Sequence, residues 1–176
     1  VILCARRPLG ELTIETPEET FVARPQVFTD PRQVPAVDWV LVATKTYDVP
    51  GAAVWLERLA ANGAPVAVLQ NGVEHRENFA PHVAADRIVP ALLYCPSERV
   101  TPTLIRQRRQ ARAVVPDDAR GREFAALFAG TTVQVTPTRD FISAAWEKLA
   151  VNSAGVINAI LLQPAGVFHR EKIAAL

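Results

Sequence analysis

Apolar positions along this chain change their spacing several times, and each change predicts an element. Val1-Ile2-Leu3-Cys4-Ala5 is a short apolar run ending in Arg6-Arg7-Pro8, which predicts a buried strand and then a loop. Polar and apolar residues alternate from Glu11 to Thr16 and from Thr20 to Arg24, predicting two exposed or edge strands. Val37 to Lys45 instead carries a continuous β-branched run without alternation, as a strand covered on both faces of a parallel sheet requires. Val49, Ala52, Ala53, Leu56, Leu59 and Ala60 then fall at the spacing of an amphipathic helix reaching Asn62. Asn62-Gly63 stops that helix, and Pro65 to Leu69 starts another buried strand. Strand, helix and strand over this distance make a βαβ unit, and such units build a parallel sheet. A further strand is predicted from Arg87 to Tyr94, a helix from Asp117 to Phe128 and a strand from Thr132 to Val135.

From Thr138 the pattern becomes helical throughout. Ile142, Ala145, Trp146, Leu149, Ser153, Val156 and Ile160 recur at helical spacing, Pro164 and Gly166 break the pattern, and Phe168 to Leu176 reads as the start of another helix. The predicted organisation is an α/β domain over residues 1–137 and an all-α domain beginning over 138–176.

Composition narrows the function more than the fold. The 176 residues carry 19 basic and 18 acidic side chains, a balance that offers nothing to nucleic acid or to an anionic membrane. No apolar run is long enough to span a bilayer. Cys4 and Cys95 are too few and too far apart for a disulfide framework or a metal site, which points to a reducing, cytoplasmic compartment. The chain holds no methionine and opens mid-pattern at Val1, so the expectation is a piece of a longer protein.

Candidate chemistry concentrates at four places. In Ala145-Trp146-Glu147-Lys148-Leu149-Ala150-Val151-Asn152, Lys148 and Asn152 stand four residues apart and share a helix face. An ammonium beside an amide can hold and protonate a small oxyanion. In a doubly wound sheet, ligands bind beyond the carboxyl ends of the strands, where Arg6, Lys45 and Asn71 stand. An arginine ending the strand after a dinucleotide-binding loop suits a 2′-phosphate, pointing to NADP rather than NAD. The loop itself, G-x-G-x-x-G, is absent from these residues and is expected before Val1. Taken singly, each position also fits a solvated cation or an ordinary turn. His75, His82 and His169 lack metal-ligand partners and read as surface or satisfied histidines, while Asp140 and Glu147 read as solvated helix charges. Arg106 to Arg109 reads as a solvated basic strand or loop.

Taken in order, Cys4-Ala5-Arg6-Arg7, Thr44-Lys45-Thr46-Tyr47-Asp48, Gln70-Asn71-Gly72-Val73 and Trp146 to Asn152 resemble the ketopantoate reductase family, with the K-L-x-x-N of the last segment the most specific. The resemblance implies a Rossmann-like NADP-binding domain, then a helical domain, with a 2-keto acid reduced between them. It implies Lys148 as proton donor, Asn152 as substrate-binding, Asn71 near both nicotinamide ribose and substrate, and Arg6 and Lys45 as cofactor-binding. The substrate it implies is 2-dehydropantoate, and self-pairing of the helical domain into a homodimer is compatible with this architecture. The sequence also departs from the family. Val156 stands where another asparagine is expected, Asn158 lies off the Lys148 face, and the loop from Gln163 to Phe168 lacks an asparagine. Each departure removes a polar contact to substrate. The alternatives are therefore reduction of a different 2-keto acid, another Rossmann-plus-helical dehydrogenase of the opine or 6-phosphogluconate type, or a non-catalytic NADP-binding sensor.

Overall fold

The computed structural model describes residues 1–156 together with 160 and 162. Its first half runs β1 (Ile2–Cys4), β2 (Leu12–Glu15), β3 (Thr20–Ala23), β4 (Gln26–Phe28), β5 (Val40–Val42), α1 (Val49–Leu59), β6 (Val66–Val68) and α2 (His75–Phe79). The second half runs β7 (Ile88–Pro90), β8 (Leu92–Tyr94), β9 (Ser97–Arg99), β10 (Leu104–Gln107), β11 (Arg112–Pro116), α3 (Ala119–Ala126), β12 (Gln134–Thr138) and α4 (Phe141–Ala154).

The centre is the parallel set β5-β6-β7, with Val40 opposite Val66 and Val66 opposite Ile88. Successive strand side chains point to opposite faces, and both faces of β6 are covered. Val66 and Val68 join a core completed by Val49, Leu56 and Leu59 of α1 and Phe79 of α2. Ala67, between them, faces a second core with Val89, Val115 and Phe124 of α3. All three β6 residues have no solvent exposure, which is why the segment could be read as a buried strand. In α1, Pro50 occupies the first turn, where its missing N–H costs nothing, and Ala60 and Gly63 close the helix after one apolar face has been buried.

β5 departs from expectation. Leu41 is 45% exposed, so the strand is buried on the Val40 and Val42 face only. α3 reaches across the other face to Trp39, whose ring lies 5.5 Å from Phe124, and leaves Leu41 uncovered. The pair predicted from Glu11 to Arg24 does form an antiparallel hairpin, but only β3 is at an edge. β2 is internal, flanked by β10 in the sheet β3-β2-β10-β9.

Neither β4 nor the strands β9, β10 and β11 carry the periodic signal that would announce them. β9 is Ser-Glu-Arg and fully exposed. Cross-strand charge holds this region instead, with Arg106 Nε 2.6 Å from Glu15 on β2 and Arg106 Nη1 3.8 Å from Glu98 on β9. Of the basic run, Arg106 and Gln107 are half-buried at the end of β10, and Arg108 and Arg109 follow it in an exposed loop. β1 pairs in parallel with β4, and β8-β11-β12 form a mixed sheet in which β12 lies at the edge, where Pro137 forfeits no ladder bond on its open side.

The last described helix turns a different face to the protein than its apolar stripe predicts. Asp140 caps α4 by accepting from the Ser143 N–H at 3.2 Å, and Phe141, Ala145 and Lys148 are the buried residues. Phe141 and Ala145 pack on Leu92, Tyr94 and Val114 of β8 and β11. Ile142 and Trp146 are 67% and 58% exposed. Two large members of the stripe thus lie open while Ala145 is buried, and a lysine takes a core position. His169, Asn158, the loop from Gln163 and the helix expected from Phe168 lie outside the described residues.

Candidate functional site

Because β5 and β6 are parallel neighbours, the segments leaving their carboxyl ends emerge side by side. Gln70 joins them. Its buried side-chain amide donates to Thr44 Oγ1 at 3.0 Å and to the Lys45 carbonyl at 3.2 Å. Asn71 comes next, followed by Gly72 at φ +122°, a conformation that excludes other side chains without strain and turns the chain sharply toward α2. His75, 3% exposed, holds the turn from the other side, its Nε2 lying 2.9 Å from the Gln70 carbonyl oxygen. A carbonyl can only accept, so Nε2 carries the proton in the neutral ring.

Lys148 enters from α4. Its Nζ donates to Asn71 Oδ1 at 3.0 Å, joining two residues 77 positions apart in the chain. It also lies 5.0 Å from the centre of the Tyr94 ring on β8, and the Arg112 guanidinium lies 3.8 Å from that same centre. Tyr94 and Arg112 are register partners in the β8–β11 pair. Lys148 is only 8% exposed, and burial, reinforced by the Arg112 charge, pushes its ammonium below the ordinary lysine range. Beside this pair opens a cleft of about 330 Å³, walled by Asn71, Gly72, His75, Asn78, Trp146 and Leu149.

The other expected residues are placed less tightly. Lys45 is exposed at the end of β5, and Arg6 is 91% exposed at the end of β1 with Nη1 4.0 Å from Asp48 Oδ1. Asn152 lies one turn beyond Lys148 on α4 but is exposed, and no hydrogen bond joins the two among the described residues. His82 is exposed, and Glu147 is solvated as expected. Gln70 as a clamp, and Tyr94 and Arg112 as neighbours of Lys148, carry no signal of these roles in the sequence. Only the antiparallel register brings the last two together, and nothing local in either segment signals it. No group of residues suited to a metal ion occurs among the described residues, and no described helix is long and apolar enough to cross a membrane.

Burial of His75 has a consequence for stability. Desolvation, with Lys148 adding to it, holds the imidazole below its ordinary value of 6.5. Below that pH the unfolded chain takes up the proton while the folded one resists. Stability is therefore unaffected above pH 6.5 and falls as pH drops below it, by at most about 1.4 kcal/mol per pH unit from this one group. His75→Gln keeps an N–H donor near the Gln70 carbonyl but cannot titrate. Urea midpoints measured at pH 7.5 and 5 should fall less for the variant than for the parent, and equal losses would show that His75 contributes nothing to the acid sensitivity.

The fold around this cleft is of the Rossmann-like α/β class, with the candidate residues at the carboxyl ends of parallel strands. Residues 1–119 match the family described as ketopantoate reductase PanE/ApbA. Over 174 residues the chain is 45% identical to a 2-dehydropantoate 2-reductase from Caulobacter vibrioides, covering 99% of this chain and 60% of the relative. The crystal structure of a PanE/ApbA family ketopantoate reductase from Ralstonia eutropha superposes with a TM-score of 0.81 at 29% identity, over 94% of this chain and 56% of that one. A dimeric ketopantoate reductase from Staphylococcus aureus, 20% identical, shares the fold with a TM-score of 0.80, over 99% of this chain and 64% of that one. The chain belongs to the ketopantoate reductase family, and spans about three fifths of the length of the curated relative.

Proposed function

We propose that the protein of which these residues form part reduces 2-dehydropantoate to pantoate with NADPH. The reading rests on one observation above all, the buried Lys148 ammonium donating to Asn71, a residue that lines the cleft. A lysine on a helix ordinarily reaches solvent. Keeping one buried without a carboxylate among the described residues is costly, and ionisable groups held at such a cost cluster at functional sites.

The bound nicotinamide would supply hydride to the keto carbon. Every other contribution falls to side chains. Lys148 stabilises the negative charge that develops on the substrate oxygen and delivers a proton to it. Burial makes that ammonium a stronger acid than a free lysine, and so better matched to neutral pH. Asn71 aims the ammonium, Asn152 binds substrate from the next helical turn, and Trp146 with Leu149 excludes water from the cleft. The residues present suit the cofactor. Arg6 and Lys45 offer exposed cations at the ends of two parallel strands, a guanidinium being the group that pairs a 2′-phosphate bidentately. The division into a dinucleotide-binding part over 1–137 and a helical part from 138 belongs to the same proposal, as do a homodimer, by analogy with the Staphylococcus protein, and a cytoplasmic location.

The test is NADPH oxidation by the full-length protein with 2-dehydropantoate beside a panel of other 2-keto acids. Turnover with 2-dehydropantoate is expected. Turnover with another acid alone would move the substrate assignment and make Val156 a specificity position, whereas tight NADPH binding without turnover would favour a sensor. Arg6→Ala should raise the KM for NADPH roughly tenfold or more while leaving that for NADH unchanged, the size of one charged hydrogen-bond contact. An equal effect on both cofactors would remove Arg6 from 2′-phosphate recognition.

A further inference from the structure

Tyr94 is where two cations meet on one ring. Lys148 Nζ is 5.0 Å and the Arg112 guanidinium 3.8 Å from its centre. Backbone pairing forces the second contact. Tyr94 and Arg112 stand opposite each other in the β8–β11 ladder, so the guanidinium has the ring within reach without any search. The first contact comes through packing, since Phe141 and Ala145 seat α4 on Leu92, Tyr94 and Val114. Arg112 makes no ion pair among the described residues, although ten other ion pairs occur there. Arg112 is exposed, and its guanidinium lies on the aromatic ring rather than on a carboxylate.

We propose that Tyr94 and Arg112 are positioning residues for Lys148. The ring holds the ammonium against Asn71, and the Arg112 guanidinium clamps the ring and keeps the ammonium ready to give up its proton. The idea rests on the reading of Lys148 as proton donor.

The geometry separates two functions. A π face attracts the ammonium and so favours its charged form. A guanidinium on the same ring repels that charge and favours its loss. Together they fix where the nitrogen sits without making it a weaker acid, which a carboxylate in the same place would do. The groups facing Lys148 agree with this. Asn71 is neutral, Tyr94 presents a ring, Arg112 is cationic, His75 on α2 is buried and favoured neutral, and on its own helix Glu147 is exposed. No carboxylate pairs with Lys148 among the described residues, and the directional effect on its acidity comes from burial first and Arg112 second.

The experiment has an arm that does not depend on turnover. The chain contains three lysines, Lys45, Lys148 and Lys172. Reductive ¹³C-methylation labels the lysines of the full-length protein, and Lys148→Arg identifies the signal from Lys148. Its pH titration should move to higher pH in Arg112→Gln, and Tyr94→Phe should titrate as the parent does. In turnover, Tyr94→Leu should lose roughly five- to tenfold in kcat with the KM for NADPH unchanged, the strength of a desolvated cation–π contact. Tyr94→Phe should restore that loss, because it keeps the ring. Arg112→Gln should shift the alkaline limb of the kcat profile in the same direction as the NMR titration. An unchanged Lys148 titration in Arg112→Gln would overturn the role of Arg112, and full activity in Tyr94→Leu would overturn that of the ring. If Lys148→Ala itself retained activity, the proton-donor reading would fall instead, while the NMR arm would still report whether Tyr94 and Arg112 control this amine.

Discussion

Lys148→Ala is expected to lower kcat by a factor on the order of 10² to 10⁴, the usual contribution of a positioned general acid. The KM for NADPH should barely move, since Arg6 and Lys45 stand at strand ends and Lys148 on α4. The size of the loss follows from the isolation of this group. Among the described residues Asn71 is its hydrogen-bond partner, and an amide carries no proton to spare at neutral pH. Water could replace the proton but not the fixed positive charge, which is the larger share of the effect in a site that excludes solvent. The pH dependence has a definite sign. The ammonium must be protonated to act, so kcat should fall as pH rises through its titration, and burial moves that fall below the ordinary lysine range of 10.5. Lys148→Arg keeps the charge but scarcely releases protons, and should recover binding of a 2-hydroxy acid product better than turnover. A Lys148→Ala protein turning over at the parent rate would refute the assignment.

How far the chain could be read in advance depended on whether a residue's partner lies nearby in sequence. β6 was legible because Val66, Ala67 and Val68 are apolar on both faces, and α1 because its buried residues recur at 3.6-residue spacing. β9 and β10 were not, because cross-strand charge pairs such as Arg106 with Glu15, 91 positions apart, hold their sheet. The burial of α4 is hidden for a related reason. Apolar residues at helical spacing ordinarily mark the inward face, yet of that stripe Ala145 is buried while Ile142 and Trp146 are exposed, and Phe141 and Lys148 point inward beside it. An exposed stripe with Trp146 in it reads identically in the chain to a buried one.

The site was legible in part. Lys148 and Asn71 were each visible, and their 3.0 Å contact came only with the fold. In the sequence His75 looks like any histidine without metal-ligand partners. It is hydrogen-bonded at Nε2, but also buried enough to resist protonation and to clamp the turn carrying Asn71. Arg112 was hidden two ways, close behind a solvated basic run and opposite a tyrosine 18 residues earlier that only strand register identifies.

Phe79→Ala should be the most damaging single change to the fold, costing about 3–5 kcal/mol. Phe79 is fully buried in the core formed by β5, β6, β7 and α1. α2 spans only His75–Phe79, too short to hold itself together, so packing must supply its stability. A loss of that size removes much of the 5–15 kcal/mol that a domain typically has. It also bears on the site. His75 stands four residues before Phe79 on the same short helix, with its ring 6.2 Å from Phe141 of α4, and it holds the Gln70 carbonyl. Loosening α2 should therefore loosen Asn71 and, through it, Lys148. The expected signature in urea unfolding is a lower midpoint with an unchanged slope, while Phe79→Leu, which nearly conserves volume, should cost less than about 1.5 kcal/mol. Residual activity of folded Phe79→Ala, measured well below its midpoint, should also fall below that of Phe79→Leu. Full activity with lowered stability would separate α2 from the aim of Lys148, and a stability loss under about 1 kcal/mol would show that this face of the sheet does not depend on Phe79.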